Sequence, residues 1–274
     1  MILALIGDLH ISERSPRFAH VLDVLDFAID DALAQGATHF ALLGDLFEQH
    51  PTGTEYAALL DRVHRMREHG PVIAILGNHE SYAALAFWHH VGVRVAWESI
   101  VSIDTPEARV LAIPYPRRGR PPFNDLDGET IGETMQSAAA RIANVVRAHL
   151  DSMPTPRPLI VLGHFTIAGM TTRDADFEQH AATEVIVPRA AFDGCALVAV
   201  GHVHLRQEVA ENIIGIGSLV RHSWAERADP KSYTLVTVEA SRVTYEHRDV
   251  PAHELWQYEG EWGARGWIKE LARG

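Results

Sequence analysis

The 274-residue sequence holds one cysteine, Cys195, which excludes an internal disulfide and a thiolate zinc cluster. A lone thiol fits a reducing compartment, so a cytoplasmic location is expected. Long apolar runs are missing as well. Met1–Ile6 stops at Gly7-Asp8 with no basic residue before it, too short for a membrane span or the core of a signal peptide. It reads as a buried strand, and no membrane association is expected. Basic charge is scarce: 24 Lys and Arg stand against 36 Asp and Glu, a formal net charge of −12. That argues against holding polyanions by bulk charge, but leaves room for a local basic groove or for bound cations that reverse the local sign. Histidine is what the chain has in plenty, with 17 residues. It is the commonest metal-ligating side chain and titrates near neutrality. The 47% hydrophobic and 22% charged content lies outside disordered composition. The length suits one large domain or two small ones.

The first half alternates strand and helix. Ile2–Ile6, His39–Leu43 and Val72–Leu76 are apolar runs that end at Gly7-Asp8, Gly44-Asp45 and Gly77-Asn78-His79. Ser15-Pro16 signals a helix start, and Phe18, Val21, Leu22, Leu25, Ile29 and Leu33 recur at helical spacing up to Gly36. Thr52 and Glu55 form a capping-box pair for a helix to Gly70. Strand–helix–strand repetition implies parallel strands, and ligands in such sheets bind beyond the carboxyl ends of the strands. After residue 92 come short strands at 93–95, 100–103 and 109–113, then a helix at 131–150 and strands at 159–162 and 196–200. Runs at 205–210, 213–216, 233–238 and 243–247 predict a largely antiparallel end.

Five loops now align. Each follows an apolar strand and opens on glycine: Gly7-Asp8-Leu9-His10, Gly44-Asp45, Gly77-Asn78-His79, Gly163-His164 and Gly201-His202-Val203-His204. Glycine allows a sharp turn and close backbone approach. Asp, Asn and His suit divalent manganese, iron, zinc, nickel or cobalt, and the lack of thiolates argues against a soft metal. If extended, Asp8 and His10, and likewise His202 and His204, point the same way. Two ions about 3.5–4 Å apart are the arrangement used for phosphoester hydrolysis, and Asp45 is the candidate to bridge them. A single Gly-Asp is ordinarily just a turn. The joint occurrence of five such loops in this order is what carries the reading.

These blocks resemble the calcineurin-like metallophosphoesterases, whose signature runs Asp-x-His, Gly-Asp, Gly-Asn-His-(Asp/Glu), a lone His and Gly-His-x-His. Within that superfamily the chain is most similar to the SbcD-type DNA double-strand-break repair nucleases. The likeness rests on Gly44-Asp45-Leu46-Phe47-Glu48, on Ile113–Arg118, and on Gly217-Ser218 with Ala225-Glu226 and Asp229–Tyr233. It covers roughly residues 1–250, with 251–274 left as a tail or the stub of a capping domain. The resemblance implies an α/β four-layer sandwich, two central mixed β-sheets flanked by helices. It implies a manganese-dependent exonuclease or endonuclease in which a hydroxide bridging two ions attacks phosphorus. One ion would be held by Asp8, His10, Asp45 and His204, the other by Asp45, Asn78, His164 and His202. His79 would face the phosphate, stabilising the transition state or protonating the leaving oxygen, with Glu48 orienting it and holding its protonated form. It further implies DNA as substrate, an SbcC-type ATPase partner, and a homodimer contact through the helix at 55–68 and Leu85, Phe87 and Trp88. Leu46-Phe47-Glu48-Gln49 and Tyr82 stand where serine/threonine phosphatases carry an arginine-containing block and an arginine, which disfavours a protein phosphatase.

Arg117, Arg118 and Arg120 sit in a Pro-rich loop and are candidate contacts for DNA phosphates. Asp23, Asp26, Asp30 and Asp31 read as a solvated helix face. His89, His90, His180, His222 and His253 lack motif context and read as surface or structural, with His222 placed where it would approach substrate. The short C-terminus and the acidic balance support an alternative, a phosphodiesterase for a small molecule such as a cyclic nucleotide. A non-catalytic scaffold for DNA ends or an ATPase is the third reading, disfavoured because no ligand position is degenerate.

Overall fold

A computed structural model describes residues 1–81, 87–153, 157–172 and 184–254. Two six-stranded sheets stack face to face. In the first, β1 (Ile2–Ile6), β2 (His39–Leu42), β3 (Val72–Ile75) and β4 (Arg94–Ala96) run parallel. The hairpin of β13 (Ser232–Glu239) and β14 (Arg242–Asp249) adds antiparallel to the free edge of β1. In the second, β6 (Arg109–Ile113), β7 (Leu159–His164), β10 (Leu197–Gly201) and β12 (Ile213–Gly215) are parallel. β5 (Val101–Asp104) and β11 (Gln207–Ala210) close its edges antiparallel. A small parallel pair, β8 (Thr166–Ile167) and β9 (Ile186–Val187), stands apart. The expected antiparallel end is therefore only partly antiparallel, because β12 pairs parallel with β10 and extends the second sheet.

Strand alternation builds three layers of core. Leu3 and Leu5 face the second sheet and meet Ile160, Leu162 and Ile214. Ala4 and Ile6 face the other way, onto α1 (Phe18–Ala34) and α2 (Gly53–His69). α3 (Ile131–Asp151) lays Ala138, Ile142 and Val146 on the outer face of the second sheet. Both faces of both sheets are thus covered, as continuous apolar strands require. The expected layering is what the chain adopts.

Helix ends follow local chemistry. Thr52 and Glu55 form the capping box of α2, and Thr130 and Glu133 that of α3. Gly36, at φ +82°, ends α1 in a Schellman turn: its N–H bonds to Leu33 and that of Ala37 to Ala32. The start of α1 differs from expectation. Ser15 does not cap it; residues 15–17 form a separate turn and the helix begins at Phe18. The acidic face of α1 is not simply solvated either. Asp26 and Asp30 pair with Arg62 and Arg65 of α2, and Asp31 accepts from Arg248 at 2.5 Å and from Tyr233 at 2.6 Å. Leu59, Val63 and Met66 of α2 and Trp88 pack into the core, while Phe87 stays 41% exposed. Tyr82, Leu85, His180 and the tail from residue 255 lie outside the described residues. No helix among the described residues is long and apolar enough to cross a membrane.

Candidate active site

The loops that follow the strands meet at one edge of the sandwich, and backbone bonds fix how they meet. Asp8 N–H donates to Gly44, His10 to Asp45 and Ile11 to Leu46, so the loops after β1 and β2 run side by side. The loop after β3 is tied to them by Glu80. Its fully buried carboxylate accepts from the backbone N–H of Asp45 at 3.1 Å, Phe47 at 3.2 Å and Gly77 at 2.7 Å, and from Leu46. Burial, then the nearby Asp45 carboxylate, pushes the Glu80 carboxyl up to about 8 against those donors. The second sheet is stitched on by His164, whose Nδ1 donates to Leu43 carbonyl at 2.7 Å. His202 N–H donates to Asp8 Oδ1 at 2.9 Å.

Close approach leaves no room for side chains at two glycines. A Cβ on Gly44, at φ +89°, would lie 2.2 Å from His164 Nδ1, and one on Gly77 would lie 2.1 Å from Asp45 Oδ1. Asp8, His10, Asp45 and His202 take φ values of +52°, +46°, +48° and +89°. The expected extended geometry of Asp8-x-His10 and His202-x-His204 does not hold. The side chains converge through left-handed turns, with Leu9 and Val203 buried between them. Non-glycine residues hold this conformation only where surrounding structure compels it.

Two groups of donors result. Asp8, His10 and His204 bring ligand atoms within 4.8 Å of one another, and so do Asp45, His164 and His202. Asp45 Oδ2 lies between them, 3.7 Å from His10 Nε2 and 3.2 Å from His164 Nε2. Asn78 Oδ1 stands 3.0 Å from His164 Nε2 and 2.9 Å from His202 Nδ1. All seven expected ligand positions are thus brought together. Outer partners hold the far nitrogen of each imidazole. Glu48 Oε2 is 2.8 Å from His10 Nδ1, Glu226 Oε1 is 3.1 Å from His204 Nδ1, and Glu184 Oε2 is 2.9 Å from His202 Nε2. With Leu43 carbonyl on His164, each ring keeps one nitrogen for the centre, as histidine ligation requires. Buried Asp8 Oδ2 has no hydrogen-bond partner among the described residues. That orphaned oxygen, and ring nitrogens of His10 and His204 facing each other at 3.1 Å, are what a cation would satisfy. The residues fit a pair of divalent ions.

The electrostatics of the buried groups follow from the same contacts. Burial opposes a charged His164, but the Asp45 carboxylate outweighs it and lifts the imidazole to about 10. Burial likewise opposes ionised Asp45, and His164 first, then His10 and His79, hold its carboxyl well below the usual range.

His79 donates from Nδ1 to the Glu48 carbonyl at 3.0 Å, and its ring meets that of His10 edge-on at 4.7 Å. Here the geometry corrects an expectation. The Glu48 carboxylate goes to His10 and stays 3.7 Å from His79; it is the Glu48 backbone that orients His79. The longer Glu side chain reaches past His79, which accounts for the difference. His10, Glu48 and His79 form a third close group. His222 does approach the centre: its Nε2 donates to the Asp8 carbonyl at 3.0 Å, and its ring is 4.7 Å from that of His10. Burial, then the charges of His10 and His204, push His222 well down, so it stays neutral.

Arg117 donates to the carbonyls of Asn78 and, at 3.4 Å, Gly77, bracing the loop after β3. Arg118 and Arg120 are exposed, and Arg118 donates to Gly128 carbonyl at 3.3 Å. Among the described residues, several that shape the site escaped sequence reasoning. Glu80 directly follows Asn78-His79, and Glu226 and Lys231 lie inside segments quoted for the resemblance, so each had a signal. Glu184 had none. Lys231 donates to Glu226 Oε2 at 2.6 Å and to Ser218 Oγ at 2.7 Å, completing a buried line to His204. These groups open on a cavity of about 820 Å³, lined also by Ser12, Arg14, Ser15, Arg17 and Thr172.

Residues 1–206 match the family model described as calcineurin-like phosphoesterase. Among solved structures, a dimetal phosphatase from Danio rerio is similar at 11% identity and TM-score 0.52, over 91% of this chain and 96% of that one. The purple acid phosphatase PPD1 of yellow lupin (Lupinus luteus) is similar at 13% identity and TM-score 0.57, over 91% of this chain and 51% of that one. The TT1561 protein of Thermus thermophilus is similar at 15% identity and TM-score 0.52, over 90% of this chain and 98% of that one. At such identities the likeness is one of fold. With most of its length matched by the family model, and donor groups built for two divalent metals, the chain belongs to the calcineurin-like phosphoesterase family.

Proposed function

We propose that this metal-dependent phosphoesterase hydrolyses the phosphodiester bonds of DNA, as an SbcD-type exonuclease or endonuclease. The observation that carries the hydrolytic part is the position of Asp45 Oδ2 between two donor groups, with His79 beside them on the same cavity wall. Asp8, His10, Asp45 and His204 would hold one ion, and Asp45, Asn78, His164 and His202 the other. Manganese heads the candidates, with iron, zinc, nickel or cobalt also suited to these donors. Bound there, the ions would acidify water to supply a nucleophile and neutralise phosphate charge. His79 has its Nδ1–H committed to Glu48 carbonyl, so Nε2 is the atom that carries a proton to the leaving oxygen. Glu48, Glu184 and Glu226 keep the ligating rings in the orientation the ions need.

DNA is supported by the motif likeness over residues 1–250 and by the exposed Arg118 and Arg120 of the loop whose Arg117 braces the turn after β3. The same reading brings an SbcC-type ATPase partner and a two-fold contact near exposed Phe87. The test is cleavage of end-labelled linear duplex and single-stranded DNA with manganese, using Asp45→Ala as blank. A ladder made by the wild type and absent from the variant is expected. Intact DNA together with hydrolysed bis(p-nitrophenyl) phosphate would overturn the DNA assignment in favour of a small diester. The size of the cavity, about 820 Å³, is the observation favouring that second reading, since it suits a small organic ligand.

A further inference from the structure

We propose that Arg14 and Arg17, with Ser12 and Ser15, form a subsite for a second phosphate group of the substrate, beside the one being cleaved. The proposal rests on the phosphoesterase reading of the metal-ligand cavity and adds a substrate class to it: an ester carrying at least two phosphates.

The cavity wall made by the loop between β1 and α1 carries Ser12, Arg14, Ser15 and Arg17. Many arginines outside the cavity are engaged, Arg62 and Arg65 with α1, Arg109 with Asp104, Arg206 with Asp249 and Arg248 with Asp31, and among the described residues those without an ion pair, such as Arg94 and Arg242, do not line it. Among the described residues, neither Arg14 nor Arg17 makes an ion pair or a side-chain hydrogen bond. In a chain with twelve more acidic than basic residues, two such cations on one cavity wall stand out. Arg17 is also partly buried and bears a desolvation cost that no carboxylate contact offsets, although Glu226 and Glu48 act on it from a distance. A guanidinium placed so is ready for an anion that arrives from outside.

The backbone under these side chains is fixed. Ser15 N–H donates to Ser12 carbonyl at 3.0 Å and Phe18 N–H to Ser15 carbonyl at 3.1 Å. Ser15 Oγ accepts from Arg17 N–H at 3.2 Å. Buried Glu55 accepts from Glu13 N–H at 2.7 Å with one oxygen and from Thr52 N–H at 2.9 Å with the other. The carboxylate that caps α2 thus also pins the arginine loop. Held this way, the arginines lose less freedom on taking a ligand than they would on a mobile loop. The cavity is also much larger than one phosphate requires, so the substrate extends past the metal ligands. Along the arginine wall, the extension that fits is anionic.

The second phosphate could belong to a polynucleotide or to a nucleoside polyphosphate. Calorimetry separates them, on the full chain loaded with manganese and carrying His79→Ala to slow turnover. The probes are dithymidylate with and without a 5′-phosphate, and thymidine diphosphate against thymidine monophosphate. The unaltered loop should prefer the doubly phosphorylated member by about tenfold or more, as charge-assisted contacts allow. With Arg14→Gln/Arg17→Gln added, that preference should fall to near one, with a shallower salt dependence. Preference confined to the dithymidylates makes the source a polynucleotide; preference in both pairs makes it nucleotides more broadly. Equal binding of both members by the unaltered loop, or an undiminished preference in a loop variant whose circular dichroism melt is unchanged, overturns the subsite. Failure of the wild-type chain to hydrolyse any phosphodiester would instead overturn the function proposed above, and the binding comparison would still stand.

Discussion

His79 and Glu226 stand on opposite sides of the divide between chemistry and support. His79→Ala removes a proton donor and no proposed metal ligand. Turnover should fall on the order of 10²- to 10⁴-fold with metal content unchanged; elemental analysis of the purified variant checks this, and lost metal would refute the role. Glu226→Gln acts through His204. Burial opposes ionisation of Glu226, but the bonds from His204 and Lys231 outweigh it and hold the carboxyl well below the ordinary range. Removing that charge frees the His204 ring and strands a buried ammonium. Metal affinity should drop on the order of 10- to 100-fold, and stability should fall by about 3–5 kcal/mol, the cost of an orphaned buried charge. Metal titration and urea unfolding read the two effects separately. Ligand identity was legible in the sequence because each ligand follows a glycine at a strand end. The tautomer of each ring was not, since partners such as Glu184 come from segments with no motif.

At the scale of elements, α2 has two attachments through one side chain. Thr52→Ala breaks the capping box and should cost about 1 kcal/mol. Glu55→Ala should cost more and also loosen the loop bearing Arg14 and Arg17, visible as faster amide exchange at Glu13. An equal effect of both substitutions would mean the pin to Glu13 contributes nothing. Apolar runs between glycines located almost every strand. The start of α1 was misread because Ser15-Pro16 imitates a cap while serving a turn of its own. The strands β13 and β14 are legible as apolar runs in an antiparallel end, but not that β13 returns to β1; two-residue alternation reports which faces are buried and not which edge receives the strand.

For the whole molecule, acid should be destabilising in two stages. Burial, then the charge of Arg206, pushes His247 down to about 4, against an ordinary value near 6.5. A depressed histidine favours the fold fully above its unfolded value, and that contribution is lost as pH falls from about 6.5 to 4. Glu226, depressed among carboxylates, supplies stability present above about 4.3 and lost below it. Urea unfolding of chelated protein from pH 8 to 3 should show both stages, and His247→Gln should shrink only the upper one, to which buried His222 also contributes. A flat profile above pH 4.5 in the wild type would refute the histidine stage.

The ligands come from both sheets: Asp8, His10, Asp45 and Asn78 follow strands of the first, while His164, His202 and His204 belong to the second. In polymer terms, a cation there is a reversible cross-link. The contact of Asp8 with His202 already closes a loop of 194 residues, and metal ligation would weld that loop shut. Cross-links of such span restrict the unfolded chain most. The ion would then set how long the molecule lasts as well as what it cleaves. Its removal by a chelator should therefore quicken urea unfolding as well as stop turnover.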